Sequence, residues 1–242
     1  MKPLQHALIS AKTYGGNWKD YIEIHNFLDS SKATCAHFKH RFLLHHAEGI
    51  ELGVRIFGET FVNGENRKVP VRQLLTDHLV EDLGKVATID DWARDLVPDR
   101  SSKFYQFLAK KRDQIENNAV KGETELLEAF GLSAEDRAAI RDFLSFPLLN
   151  SAHPAALLIS HNSFAVFLAE KIFGYSFFKE NTRSQQLVSV REVLERLIFL
   201  RFKAIYSLAE IIARTSTADW MQGPRKLTGE QKKAVSKIRD VQ

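Results

Sequence analysis

Seven of the nine histidines fall within the first 78 residues, and imidazole is a metal ligand, a proton carrier or a satisfied polar group depending on its neighbours. The densest stretch is HFKHRFLLHHAEGIELGVRIFG, His37–Gly58. Read as one helix, it puts His37, His40, Arg41, His45 and Glu48 on one face and His46 on the opposite one. His78 stands four residues before Asp82 in VRQLLTDHLVEDLG, so both point the same way. His25 stands in a third helical segment, DYIEIHNFLDS. Three helices can therefore each send a ligand-type side chain into a bundle interior, where imidazole–carboxylate metal sites are built. The ligand pool is His25, His40, His45, Glu48, His78 and Asp82, with His46 as a supporting partner. Such a mixed set suits zinc, manganese or iron. With an open position, the metal would make a nucleophile of bound water. Glu81 would then be the general base, and Arg41 or Arg72 would hold a substrate phosphate. That chemistry is hydrolysis of a small phosphate-containing molecule. The spacing matches no HExxH, His-Asp or CxxC signature. The competing reading is a wet, histidine-rich helix face, and His6 and His37 are read as ordinary surface or satisfied residues.

The elements that would position these groups are helical. Hydrophobic residues make up 44% of the 242 and charged ones 26%, a globular composition, and 3.6-residue periodicity dominates. Leu187–Arg214 reads as one buried central helix. The strand signal is confined to ETFVNGENRKVPV, where Asn63-Gly64 can turn a short hairpin near 60–70. The fold class is all-α with at most a small ribbon. Gly84 is a C-cap, Thr88 an N-cap with Asp91 at the third position, and Trp92 a core residue. Pro154 opens a helix over PAALLISHNSFAVFLAEKIFG, with His153 beside its cap. The lone Cys35 is a small buried apolar group, its solitude suits a reducing compartment, and no apolar run reaches a membrane span. A cytoplasmic protein without a membrane partner is expected. The net charge of +4 does not demand a nucleic-acid partner.

The chain also repeats itself. IFGETF (Ile56–Phe61) recurs as IFGYSF (Ile172–Phe177), an offset of 116 that also pairs His37 with His153 and His45 with His161. Thirteen of the 48 positions from Tyr14 to Phe61 are identical to their counterparts. After a loop three residues longer, VPVRQLL meets VSVREVL. This pattern indicates two divergent copies of a small helical domain: 1–97 and 122–215, a linker helix at 98–121 and a basic tail at 216–242. Copies fused in this way are expected to pack with pseudo-symmetry. The second copy keeps the apolar framework and loses the polar set. His25 becomes Arg141, His40 becomes Ala156, His46 becomes Asn162, Glu48 becomes Phe164, His78 becomes Leu197 and Asp82 becomes Arg201. Any chemical site belongs to the first copy.

The tail offers a different function. Arg225, Lys226, Lys232, Lys233 and Lys237, together with the second copy, could contact nucleic acid or a protein partner, which would make the chain a non-enzymatic interaction or structural protein; a solvated basic helix is the plain alternative for the tail. Finally, QHALISAKTYGG, HRFLLHHAEGI, VPVRQLLTDHLVEDLG and TIDDWARDL resemble a family of short bacterial and phage proteins of unknown function, over about residues 4–97. The resemblance implies a small α-helical unit with a phage or prophage association, and it brings no established activity. That family's pattern is one copy per chain, from which this chain departs by its second copy and its tail.

Overall fold

A computed structural model describes residues 1–117, 120–180 and 186–224. These form two compact units: Met1–Ala87 with the segment from Ala218, and Thr88–Thr217. Both are helical, each with one two-stranded ribbon, so the all-α expectation holds. The division falls at Ala87–Thr88, ten residues before the boundary the repeat suggested.

The first unit comprises α1 (Pro3–Tyr14), α2 (Ile22–Asp29), α3 (Ala47–Phe57), strands β1 (Thr60–Val62) and β2 (Lys68–Pro70), and α4 (Val71–Leu83). Short 3-10 turns lie at Trp18–Asp20, Ser30–Ala33, Phe38–Leu43 and Asp219–Gln222. The ribbon pairs Phe61 with Val69. Its loop is tied by Asn63, whose Oδ1 accepts from the backbone N–H groups of Glu65 and Arg67, both at 3.0 Å. The helix α4 buries Val71, Leu74, Leu75, His78, Leu79, Asp82 and Leu83, the stripe of an amphipathic helix packed on a core. It ends at Gly84 in the left-handed region (φ 77°), the expected C-cap.

The second unit contains α5 (Ile89–Leu96), α6 (Lys103–Glu116), α7 (Glu123–Ala129), α8 (Ala134–Leu149), α9 (Leu157–Ser160), α10 (Ser163–Phe173), strands β3 (Ser176–Phe178) and β4 (Leu187–Ser189), α11 (Val190–Phe202) and α12 (Leu208–Arg214). Thr88 caps α5 in a capping box with Asp91, and Trp92 is fully buried. The helix α11 buries Val190, Val193, Leu194, Leu197, Ile198, Arg201 and Phe202. Each lies 119 residues after a buried residue of α4. The linker residues 98–121 supply α6, and the β3–β4 ribbon pairs Phe177 with Val188.

Three segments read as single helices are broken. His37–Gly58 is a 3-10 turn over Phe38–Leu43, an extended corner, then α3. The break is built by His46, whose extended backbone (φ −150°, ψ 166°) makes it the N-cap of α3. Gly49 lies against it so closely that a Cβ would stand 2.0 Å from the Leu44 carbonyl oxygen. Pro154–Gly174 breaks in the same way at Asn162, the N-cap of α10. Leu187–Arg214 opens as β4, runs as α11 and stops at Lys203 in the left-handed region (φ 60°). No single helix among the described residues is long and apolar enough to cross a membrane. The bent pair Pro154–Ser160 and Ser163–Phe173, at 58°, has the length and composition only jointly.

Candidate metal centre

The polar side chains of the first unit occupy places on apolar stripes. In α1 the buried residues are His6, Ala7 and Ser10; in α2 they are Ile24, His25, Leu28 and Asp29. Each helix thus turns an i, i+4 polar pair into the core: His6 with Ser10, His25 with Asp29, and His78 with Asp82 on α4. The 3-10 turn Phe38–Leu43 adds His40, and the corner between it and α3 adds His45. His6, His45 and His78 are fully buried, and His25, His40, Asp29 and Asp82 are at most 5% exposed.

Two carboxylates sit among the rings. His45 Nε2 lies 3.4 Å from Asp82 Oδ2 and 3.7 Å from Asp29 Oδ1. His78 Nε2 is 3.7 Å from Asp82 Oδ2, and His40 Nε2 is 3.6 Å from Asp29 Oδ1. His6 Nε2 approaches Asp82 Oδ1 at 3.3 Å. One donor atom from each of His6, Asp29, His78 and Asp82 can be chosen so that all lie within 4.8 Å of one another. Four ligands placed tetrahedrally about 2.0–2.1 Å from a zinc-sized ion would be about 3.3–3.4 Å apart, so the cage is slightly wider than a closed one.

The outer ring nitrogens are held. His6 Nδ1 bonds Glu81 Oε2 at 2.5 Å, and His40 Nδ1 bonds the Ser31 hydroxyl at 3.0 Å. His78 Nδ1 meets His25 Nδ1 at 2.9 Å, and His25 Nε2 meets the Ser10 hydroxyl at 2.8 Å. One tautomer chain satisfies the last pair and leaves His78 Nε2 a free lone pair. His78 donates from Nδ1 to His25, and His25 donates from Nε2 to Ser10. Outward hydrogen bonds that fix tautomer and ring orientation are what metal-ligating histidines receive from their surroundings.

Charge sharpens the picture. Burial pushes the His25 imidazole down to about 3 and, with neighbouring His45 and Arg41, that of His40 down to about 2. Burial likewise lowers His78 and His45. These rings are neutral near pH 7 and keep a lone pair for a cation. His6 is the exception: burial opposes its charge, but Asp82 and Glu81 outweigh burial and raise it. Burial alone would raise the Asp82 carboxyl, yet the His45 and His6 rings that face it, with Arg41 beside it, hold it well below the carboxylate range. Arg41 Nη2 is 2.9 Å from Asp82 Oδ2, close enough to pair but off hydrogen-bond alignment, and the Met1 amine meets Oδ1. Asp29 has no such help. Neither of its oxygens has a hydrogen-bond donor, although both are buried, and an uncompensated buried carboxylate is costly.

Of the ligand pool read from the sequence, the structure gathers His40, His45, His78 and Asp82, with His25 one ring further out, bonded to His78. Glu48 is elsewhere: its Oε2 lies 3.1 Å from His46 Nδ1. His46 caps α3 by accepting from Gly49 N–H. Arg72 forms an exposed pair with Glu51. Arg41 is spent on Asp82 and on the backbone carbonyls of Met221 and Gln222, and Glu81 on His6. His6, Asp29, Ser10 and Ser31 were missed. The i, i+4 polar pairs inside apolar stripes were the signal for the first three. His37 is, as read, a local residue whose Nδ1 accepts from Lys39 N–H. Arg225, Lys226, Lys232, Lys233 and Lys237 lie outside the described residues.

The fold and site define an α-helical protein with a buried histidine–carboxylate cluster that could hold a metal ion. Residues 1–101 match a protein family described as a domain of unknown function (DUF6915). No curated protein and no solved structure matches the chain.

Proposed function

We propose that the first unit is a metal-binding module that takes a first-row divalent ion (zinc, manganese or iron) between Asp29 and Asp82. His40, His45 and His78 supply the imidazoles, and His6, His25, Ser10, Ser31, Glu81 and Arg41 hold the donors in place. One observation carries the reading: imidazole Nε2 atoms converge on two buried carboxylates, one of them without a hydrogen-bond donor, while the opposite ring nitrogens of His6, His40 and His78 are tied outward. A cation between them compensates the Asp29 charge and uses every inward lone pair. The burial of all the donors favours a closed, structural ion over the open position that phosphate-ester hydrolysis needs, and Arg72 stands at the surface. We also read the second unit as a divergent copy of the first, on the support of the matching buried stripes of α4 and α11 and the matching caps His46 and Asn162.

The test is elemental analysis of the full chain purified without chelator, followed by reconstitution with zinc, manganese or iron(II). One ion per chain, lost in His78→Ala and Asp29→Ala and retained in Arg72→Ala, is expected. Failure of all three metals to bind or to raise the melting temperature would remove the reading.

A further inference from the structure

In the second unit three positions that correspond to residues of the first unit's polar cluster, those of His25, Asp29 and Asp82, line a cavity of about 90 Å³. Its polar lining is Glu123, Thr124, Arg141, Ser145 and Arg201. Arg141 stands 116 residues after His25, Ser145 the same distance after Asp29, and Arg201 lies 119 after Asp82. Both carboxylates of the first cluster are therefore gone, and two guanidinium groups have arrived. Arg201 is 4% exposed. It donates to Glu123 through Nε and Nη2 at 2.8 and 2.7 Å, and through Nη1 to His161 Nε2 at 3.2 Å. A guanidinium has five N–H groups, so two remain after these bonds. Arg141 Nε is 3.7 Å from the same Glu123 carboxylate, and its Nη2 donates to Thr124 Oγ1 at 3.3 Å. One carboxylate thus faces two cations, which leaves one positive charge unbalanced at the cavity wall. His161 accepts from Arg201 and so adds no charge.

We infer that this cavity binds a small oxyanion, a phosphate or sulfate group, held by Arg141, the remaining N–H groups of Arg201 and the hydroxyls of Thr124 and Ser145. The volume holds about three waters at roughly 30 Å³ each, the space of one tetrahedral oxyanion. Arginine is suited to the planar, paired recognition such a group needs. The pocket stands on its own residues and does not depend on an ion in the first unit.

The experiment is thermal melting and calorimetric titration of the full chain with sodium sulfate, sodium phosphate and a nucleoside monophosphate, each against sodium chloride at matched ionic strength. A saturable rise of about 3–6 °C at ten times Kd is expected, abolished in Arg141→Ala, whose half-exposed side chain can be removed without breaking the fold. Binding of sulfate and phosphate alone identifies a free oxyanion as the ligand; tighter binding of the nucleoside monophosphate identifies a phosphate ester. A response equal to that of chloride, or one that Arg141→Ala leaves intact, overturns the proposal. The second outcome also covers anion binding at a metal in the first unit.

Discussion

Asp29→Asn should act with opposite signs on the metal-free and metal-loaded protein. The carboxylate is buried, and its nearest inward neighbours are His40 Nε2 and His45 Nε2 at 3.6 and 3.7 Å. Without an ion, a charge sits there with no hydrogen-bond donor. The isosteric amide removes that charge and can donate to either ring after a shift of a few tenths of an ångström. Satisfying a buried group is worth about 1–3 kcal/mol, so the chelator-treated variant should melt about 2–12 °C above the chelator-treated parent, at roughly 2–4 °C per kcal/mol for a chain of this size. With metal present the order inverts. A neutral ligand replaces an anionic one, and affinity should fall at least about 100-fold, or about 2.7 kcal/mol, with a matching loss of metal-dependent stabilisation. The assay is differential scanning calorimetry of both proteins with chelator and with saturating metal, alongside a competition titration. Equal destabilisation of the variant in both conditions would refute the reasoning, since it would mean that Asp29 is already satisfied by the protein alone.

Further outcomes can be checked separately. His46→Ala should cost about 1 kcal/mol through the lost cap of α3 and leave metal content unchanged, whereas His46→Asn, the arrangement seen at Asn162, should be close to neutral; chemical denaturation with metal analysis distinguishes them. Gly49→Ala should destabilise the first unit by more than about 3 kcal/mol, because its Cβ would stand 2.0 Å from the Leu44 carbonyl oxygen; wild-type stability would show that the corner can open. Burial and then Arg201 push His161 well below its ordinary value. The unfolded chain then takes up a proton below about pH 6.5 that the folded one refuses, so the ring's contribution is complete above that pH and declines as pH falls, by up to about 1.4 kcal/mol per unit. His161→Gln should flatten the stability profile between pH 6.5 and 5, and an unchanged slope would count against the burial argument.

What the sequence disclosed and what it hid have a common physical cause. Periodicity reports which face of a helix is buried, so α4 was legible, and the glycine and threonine signals at Gly84 and Thr88 marked real caps. Periodicity cannot show where the chain leaves the helix for a corner. His37–Gly58 has unbroken helical spacing, yet His46 takes an extended backbone because its ring caps α3 better than its main chain continues a helix. That single corner changes which side chains share a face: Glu48 turns toward His46, and His40 and His45 come to the carboxylates from the 3-10 turn and the corner that follows it. Asp29 and His6 were overlooked for a different reason. Each sits in a segment with few histidines, marked in the sequence by no more than an i, i+4 polar pair on an apolar stripe, and the approach of α1, α2 and α4 to one another supplies their neighbours.

The two units also separate what a hydrophobic framework specifies from what it leaves open. The stripe Val71, Leu74, Leu75, Leu79, Leu83 and its counterpart Val190, Val193, Leu194, Ile198, Phe202 are alike in size and burial. The α4 stripe is interrupted at two places, by His78 and Asp82; in α11 Leu197 fills the first of them and only Arg201 interrupts the second. A buried charge at the second place must be compensated. In α4 the compensation comes from imidazoles and Arg41 and has room for a cation; in α11 it comes from Glu123. Removing Arg201 alone should therefore cost about 3 kcal/mol, since Glu123 then keeps only Arg141, at 3.7 Å, while the pair Arg201→Met with Glu123→Gln should recover most of it. Denaturation of the single and double variants measures this. If the double variant were as unstable as the single one, the arginine would be held in place by something other than the carboxylate it faces, and the charge-balance argument for both units would fail.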